Sequence, residues 1–267
     1  MASIYDLKAG QLLTIPETDK TTVCKMCLEV AQPKLNDKDE ASSTIRLGDL
    51  YEYGNPITDK DTGKADIEVY CAHYFCLLFS SGLEQKGREE DEGLKGFLPQ
   101  DVLKEWRRGQ RLKCTECNQK YATVGCSHKS CRKTFHLPCA VRSGAHLQYC
   151  GAFSLFCNEH RLKQAPYKEV GGGDKLPETE CGICYDDIPD MADDLANVWS
   201  PCCNKWFHKT CVQRFADTSG YFFKCPLCNN KDDFIEEMKR FGIYVPEKDA
   251  DWEKPDRGAA SGDPDDR

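Results

Sequence analysis

The 267-residue chain has no apolar run long enough to cross a bilayer. Its most apolar stretch, Tyr70 to Ser80, contains His73 and is about half the ~20 residues that a membrane helix needs. The start, Met1-Ala2-Ser3-Ile4-Tyr5-Asp6, lacks the basic residues and long apolar core of a secretory signal, so reduced thiols are expected. A nuclear address is expected, or a cytoplasmic one, with no membrane partner. Repeated fingers and a recognition helix are also missing, which weighs against a DNA-reading zinc protein.

Cysteine, in contrast, is abundant: the chain has 18. Most stand in Cys-x2-Cys, His-x2-Cys or Cys-x2-His pairs, a spacing that lets two donors converge on one tetrahedral ion. A disulfide scaffold scatters its cysteines instead. Cys24, Cys27, His73 and Cys76 make one set of four. A second set has eight donors in order: Cys114, Cys117, Cys126, Cys131, His136, Cys139, Cys157 and His160. In an interleaved cross-brace the first, second, fifth and sixth donors share one ion and the other four share the next. Cys114, Cys117, His136 and Cys139 would then hold one zinc, and Cys126, Cys131, Cys157 and His160 another. The third set, Cys181, Cys184, Cys202, Cys203, His208, Cys211, Cys225 and Cys228, follows the same order. Its adjacent pair, Cys202-Cys203, leaves two readings open: both bind, or one is a bystander.

Five zinc ions are therefore expected. They would replace hydrophobic cores too small to fold alone. Each set offers four protein donors, with no open position for a zinc-bound water, so the metals are expected to be structural. Cys71, Cys150, His128 and His146 are left over, and nothing local orients them as a nucleophile and base. Sixteen thiolates against ten zinc charges take the formal charge from −8 to about −14.

Along the chain, residues 1–20 read as a flexible leader, and 28–69 show no sustained periodicity. Asp101, Val102, Leu103 and Trp106 mark a short amphipathic helix from Pro99. Gly171-Gly172-Gly173-Asp174 marks a linker over 165–177. Phe234, Ile235, Met238 and Phe241 share one helical face, opened by Asp232 or Asp233 and stopped at Gly242. Residues 247–267 read as a disordered acidic tail.

Several stretches carry a resemblance. Phe135-His136-Leu137-Pro138-Cys139 and Cys157-x2-His160, preceded by a knuckle of three Cys and one His, resemble an extended PHD domain. His73-Tyr74-Phe75-Cys76, Ser80-Ser81-Gly82-Leu83, Gly96-Phe97-Leu98-Pro99, Trp206-Phe207-His208, Tyr221-Phe222-Phe223-Lys224-Cys225-Pro226 and Gly242-Ile243-Tyr244-Val245-Pro246 are similar to the family of PHD finger protein seven and its cell-cycle ubiquitin-ligase paralogue. The resemblance implies small zinc-stabilised α+β modules. An extended PHD, a zinc knuckle plus a cross-brace PHD over 21–164, would be followed by a cross-brace RING/PHD-like domain with a C-terminal helix over 178–246.

The same resemblance implies a RING-type ubiquitin ligase of the nucleus. Histones or the nucleosome would meet the PHD, and a ubiquitin-conjugating enzyme with its ubiquitin would meet the third module. Such a ligase acts by positioning a charged thioester and forms no covalent intermediate of its own. Ile183, Phe215 and Pro226 occupy the positions that form the conjugating-enzyme groove in RING domains. Many active RINGs carry an Arg soon after the last ligand, whereas Cys228 is followed here by Asn229, Asn230 and Lys231. A lysine cannot reproduce a bidentate guanidinium. The alternative is a non-enzymatic chromatin reader or scaffold.

Charge divides the modules. Residues 104–163 carry twelve Lys/Arg against three acids, and residues 178–246 seven against twelve. A basic PHD suits nucleosomal DNA, through non-specific contact, or an acidic protein patch. Arg107, Arg108, Arg132 and Lys133 are the candidate contacts, with Tyr121 the one candidate wall of an aromatic cage.

Overall fold

The computed structural model describes residues 12–14, 22–29, 45–58, 65–88, 92–164, 180–188 and 194–253. The linker expected at 165–177 lies outside them, as do the leader apart from Leu12–Thr14 and the tail beyond Glu253. The chain forms two compact units, one of Met1–Leu147 with Ala152–Arg161 and one of Gln148–Gly151 with Leu162–Arg267. Among the described residues no helix is long and apolar enough to cross a membrane.

The first unit opens with an antiparallel sheet of β1 (Leu12–Thr14), β2 (Leu50–Thr58) and β3 (Ala65–His73), in that order. β1 lies in the expected leader, and β2 and β3 lie in the stretch read as aperiodic. Their register sets Leu50 opposite His73, and both are buried. Helix α1 (Tyr74–Leu78) follows directly and buries Phe75, Cys76 and Leu77. Pro99 at the first turn starts α2 (Pro99–Gly109), which buries Val102, Leu103 and Glu105. Two-stranded ladders β4 (Val124–Gly125) with β5 (Thr134–Phe135), and β6 (His146–Leu147) with β7 (Leu155–Phe156), flank α3 (Leu137–Arg142).

A polar seam joins the knuckle and cross-brace parts of this unit. Ser80 Oγ donates to the Cys76 carbonyl at 2.7 Å and lies in hydrogen-bond contact with the Thr123 hydroxyl at 2.8 Å. Arg108 donates to both carboxylate oxygens of Glu105, at 2.8 and 2.7 Å, and to the Thr123 carbonyl at 2.9 Å. The Gly82 N–H adds a third bond to Glu105. The Ser80-Ser81-Gly82 stretch thus supplies a hydroxyl and a backbone amide that complete buried polar partners.

In the second unit, β8 (Asn197–Ser200) pairs with β9 (Lys205–His208), followed by α4 (Lys209–Ser219) and α5 (Asp232–Arg240). Phe207, Val212, Phe223, Phe234 and Met238 form its fully buried core. Leu162 packs against that core. The Gln164 amide accepts from the Trp199 N–H at 2.7 Å and donates to the Trp199 carbonyl at 2.8 Å, completing the edge of β8 as a strand would. Leu162 and Gln164 therefore belong with this unit, ahead of the linker expected at 165–177.

Residues 247–253, expected in the tail, are packed instead. Ala250 is buried, and the Lys248 carbonyl accepts the Tyr221 N–H at 3.0 Å. Gly220 sits at φ +49, where an added Cβ would lie 2.0 Å from that carbonyl. Gly220→Ala is expected to cost about 1–3 kcal/mol for the backbone conformation alone, with further loss as residues 248–250 detach. Thermal unfolding measures the sum.

Candidate metal centres

Three of the five donor groups are built from one repeated unit. Each begins with a Cys-x2-Cys knuckle: Cys24/Cys27, Cys114/Cys117 and Cys181/Cys184. A strand–helix corner completes it. The His lies at the strand end with extended backbone and serves as N-cap of the following helix, at ψ 145 for His73, 144 for His136 and 133 for His208. The helix then carries the Cys three residues on, so both donors face the knuckle. One backbone bond docks each knuckle on its corner: Lys25 N–H to Cys71 O, Thr115 to Thr134 and Gly182 to Trp206, at 2.7, 2.8 and 3.2 Å.

Every His faces its group through Nδ1, with Cys27 at 3.4 Å from His73, Cys117 at 3.3 Å from His136 and Cys184 at 3.4 Å from His208. His136 uses Nε2 for the Lys120 carbonyl at 2.7 Å, which orients the ring. The third group joins Cys126, Cys131, Cys157 and His160, with Cys131 and Cys157 sulfurs 4.0 Å apart and His160 Nδ1 3.2 Å from Cys157. The fifth joins Cys202, Cys203, Cys225 and Cys228, with Cys203–Cys225 at 3.7 Å and Cys202–Cys228 at 3.3 Å. Both members of the adjacent pair therefore converge. Within each of the five groups all donor atoms lie within 4.8 Å of one another.

These spacings fit zinc. A tetrahedral ion with Zn–S of about 2.3 Å sets sulfurs about 3.8 Å apart. Thiolate-rich donor sets select zinc over hard cations such as magnesium or calcium. The electrostatics show why an ion is required. Burial pushes the Cys24 thiol up, but bonds from Cys27, Cys76 and His73 outweigh it and hold Cys24 well below the usual range. Its neighbours are driven the other way, Cys27 first by its bond with Cys24 and Cys76 first by burial. The pattern recurs: burial and the charge on Cys114 push Cys139 up to about 12, and burial and the charge on Cys181 do the same to Cys211. Burial, with the charge on Cys225, raises Cys203 to about 11, while the Asn230 backbone lowers Cys228. Such a group tolerates few negative charges by itself, and a divalent cation lets three or four thiolates coexist.

The leftover residues stand outside the five donor groups. His128 stacks face to face on His160, with centroids 3.9 Å apart. His146 is buried against Phe156. Cys71 is buried and Cys150 half-buried.

The candidate partner residues divide. Pro226 is exposed, Ile183 is half-buried, and Phe215 packs on Phe223 at 5.5 Å. Leu227 and Tyr185, on the same two knuckles, are also exposed, and nothing in their spacing marks them out from knuckle filler. Arg108 and Lys133 are committed to Glu105 and Glu159, at 2.7 and 2.8 Å. Arg107 and Arg132 stay exposed without an ion pair among the described residues. Tyr121 stacks on Trp106 at 5.6 Å and 9°, which makes a flat platform rather than a cage.

Residues 73–161 match the PHD-like zinc-binding domain family, and residues 179–229 match the ring finger domain family. Over 183 residues the chain is 42% identical to the G2/M phase-specific E3 ubiquitin-protein ligase of Homo sapiens, covering 68% of this chain and 25% of that protein. The protein of that name in Gallus gallus is 42% identical over 187 residues, 69% and 24% of the two chains. The Pineapple eye protein of Drosophila melanogaster is 33% identical over 183 residues, 68% and 30%. The chain thus spans about a quarter of the length of the first two of these relatives. Its two zinc domains and these relatives place the chain in the PHD finger protein seven and G2/M-phase ubiquitin-ligase family.

Proposed function

We propose that the chain is a RING-type ubiquitin ligase whose extended PHD docks on chromatin, in the nucleus, and whose RING recruits a ubiquitin-conjugating enzyme. The observation that carries the reading is the apolar surface where the first and last RING knuckles meet. A Cβ on Gly182 would lie 2.9 Å from Leu227, so the knuckle holding Ile183 abuts the one holding Pro226 and Leu227. Two knuckles held by different zincs form one shallow surface, the shape a conjugating enzyme requires.

The chain then contributes positioning. The conjugating enzyme carries ubiquitin as a thioester. The acceptor amine attacks its carbonyl carbon, the C–N bond forms, the C–S bond breaks, and the amine proton leaves to solvent or a base of the conjugating enzyme. Restricting the thioester to reactive conformers lowers the entropic barrier of that step. No nucleophile on this chain is needed. After Cys228, Asn229 closes the knuckle at φ +62, and Asn230 is spent on Asp233, so Lys231 is the cation left to face ubiquitin.

The test is a reaction with activating enzyme, a panel of conjugating enzymes, ubiquitin and ATP. Wild type should form chains with at least one of them, and Ile183→Ala should lose about tenfold or more, as loss of a core contact of about 1.4 kcal/mol implies. No product with any conjugating enzyme favours the reader or scaffold reading. Basic exposed residues on the PHD support the chromatin half, argued further in the Discussion.

A further inference from the structure

Four knuckles of this chain share one backbone. In each, the residue after the second Cys donates its N–H to the carbonyl of the first: Leu28 to Cys24, Asn118 to Cys114, Tyr185 to Cys181 and Asn229 to Cys225, at 2.9 to 3.0 Å. The first Cys donates in turn to the carbonyl one residue further on, at Glu29, Gln119, Asp186 and Asn230. The shared hydrogen bonds force the shared residue into the left-handed region, at φ +65, +59, +64 and +62. Asn accepts that region readily, and bulky side chains do not. Two knuckles follow this preference with Asn118 and Asn229. The other two hold bulky residues, Leu28 in the first knuckle of the chain and Tyr185 in the first RING knuckle.

Nothing inside the fold rewards the tyrosine. Tyr185 is 71% exposed, its ring packs on no other aromatic, and its hydroxyl makes no hydrogen bond among the described residues. Its position does have one distinguishing property: it sits on the knuckle that carries Ile183 and abuts Leu227, which is 41% exposed. Asp186 and Asp187 follow it, both exposed, so the knuckle that carries Ile183 ends in an exposed aromatic ring and two carboxylates. We propose that Tyr185 is a recognition residue for the conjugating enzyme, kept in an unfavourable backbone conformation because its ring fills a partner site beside Ile183. The partner face it fits is apolar with a basic rim. This inference rests on the ligase reading above.

The argument predicts opposite signs for stability and function. Relieving the strain should stabilise the free protein while removing the contact. The full chain is compared as wild type, Tyr185→Asn, Tyr185→Gly, Ile183→Ala and Leu28→Asn. Two readouts are used: thermal unfolding, and discharge of a ubiquitin-charged conjugating enzyme onto free lysine. Tyr185→Asn should unfold a few degrees higher and discharge about fivefold or more slowly. Leu28→Asn, which relieves the same strain in the first knuckle, should gain stability with an unchanged rate. Wild-type rates in Tyr185→Asn, alongside a loss in Ile183→Ala, would overturn the inference and leave the ligase reading standing. Lower unfolding midpoints in both Tyr185→Asn and Tyr185→Gly would overturn it too, since the fold itself would then hold the ring. No discharge by wild type with any conjugating enzyme removes the ligase reading, and this inference with it.

Discussion

Cys203→Ser is expected to lower the zinc content from five ions per chain to four and to destabilise the RING. Cys203 lies in the β8–β9 turn, which Asn204 closes at φ +54. That turn points two successive sulfurs at the last knuckle, Cys202 toward Cys228 and Cys203 toward Cys225. The knuckle leads straight into α5, whose Phe234 and Met238 complete the core. The fifth zinc therefore ties the hairpin turn to the start of a helix whose far side is already held by the core. A structural zinc site contributes about 10–16 kcal/mol to folding in small modules, and a serine hydroxyl is a poor replacement for one of four thiolates. Native mass spectrometry reads the count. Five ions in Cys203→Ser with an unchanged melting curve would show that Cys203 is a bystander after all.

The zinc groups were legible because coordination chemistry is written in local spacing. Two donors separated by two residues need only a tight turn, and in all four Cys-x2-Cys pairs the turn recurs with the same hydrogen bonds. The interleaved order likewise anticipates which pairs meet. What spacing could not reveal was the β2–β3 hairpin that delivers His73 to its knuckle. Nine-residue strands carrying Gly54, Asn55 and Pro56 look like loop chemistry, and their pairing depends on a partner across a gap in sequence. Leu162 and Gln164 were hidden for a similar reason, because their partners stand about 35 residues away or more. Composition averages over length, which conceals the packed start of the tail. Ala250 is one small residue in an acidic stretch, yet its burial fixes the chain around it.

Charge was legible as a total and misleading as a residue list. The PHD segment is basic, but three of its cations are consumed internally: Arg108 by Glu105, Lys133 by Glu159 and Arg142 by Glu29. Those left exposed without an ion pair include Lys104, Arg107, Arg111, Lys113 and Lys120. Lys113 and Lys120 face each other across an antiparallel bridge, where like charges repel unless an anion shares them. Arg107 is therefore available to a partner, whereas Arg108, one residue on, is held by the fold.

That contrast sets the last expectation. Glu105 is 2% exposed, and Arg108 supplies its charged partner. Removing one partner of a fully buried ion pair costs about 3–5 kcal/mol, and with Arg108 39% exposed and the Gly82 N–H still bonded to Glu105 the cost here falls below that range. Arg108→Ala should therefore lower the unfolding midpoint by several degrees, and any loss of nucleosome binding should follow the fraction unfolded. Glu105→Gln in the same background removes the stranded charge and should restore part of the loss. Arg107→Ala should leave the midpoint unchanged within about 0.5 kcal/mol. If the basic face meets DNA phosphates, it should also weaken binding and reduce the slope of log affinity against log salt by about one. Unfolding curves and a salt series on both variants separate the two roles. An Arg108→Ala protein as stable as wild type would contradict the burial argument, and an Arg107→Ala protein with an unchanged salt slope would take phosphate contact away from that residue.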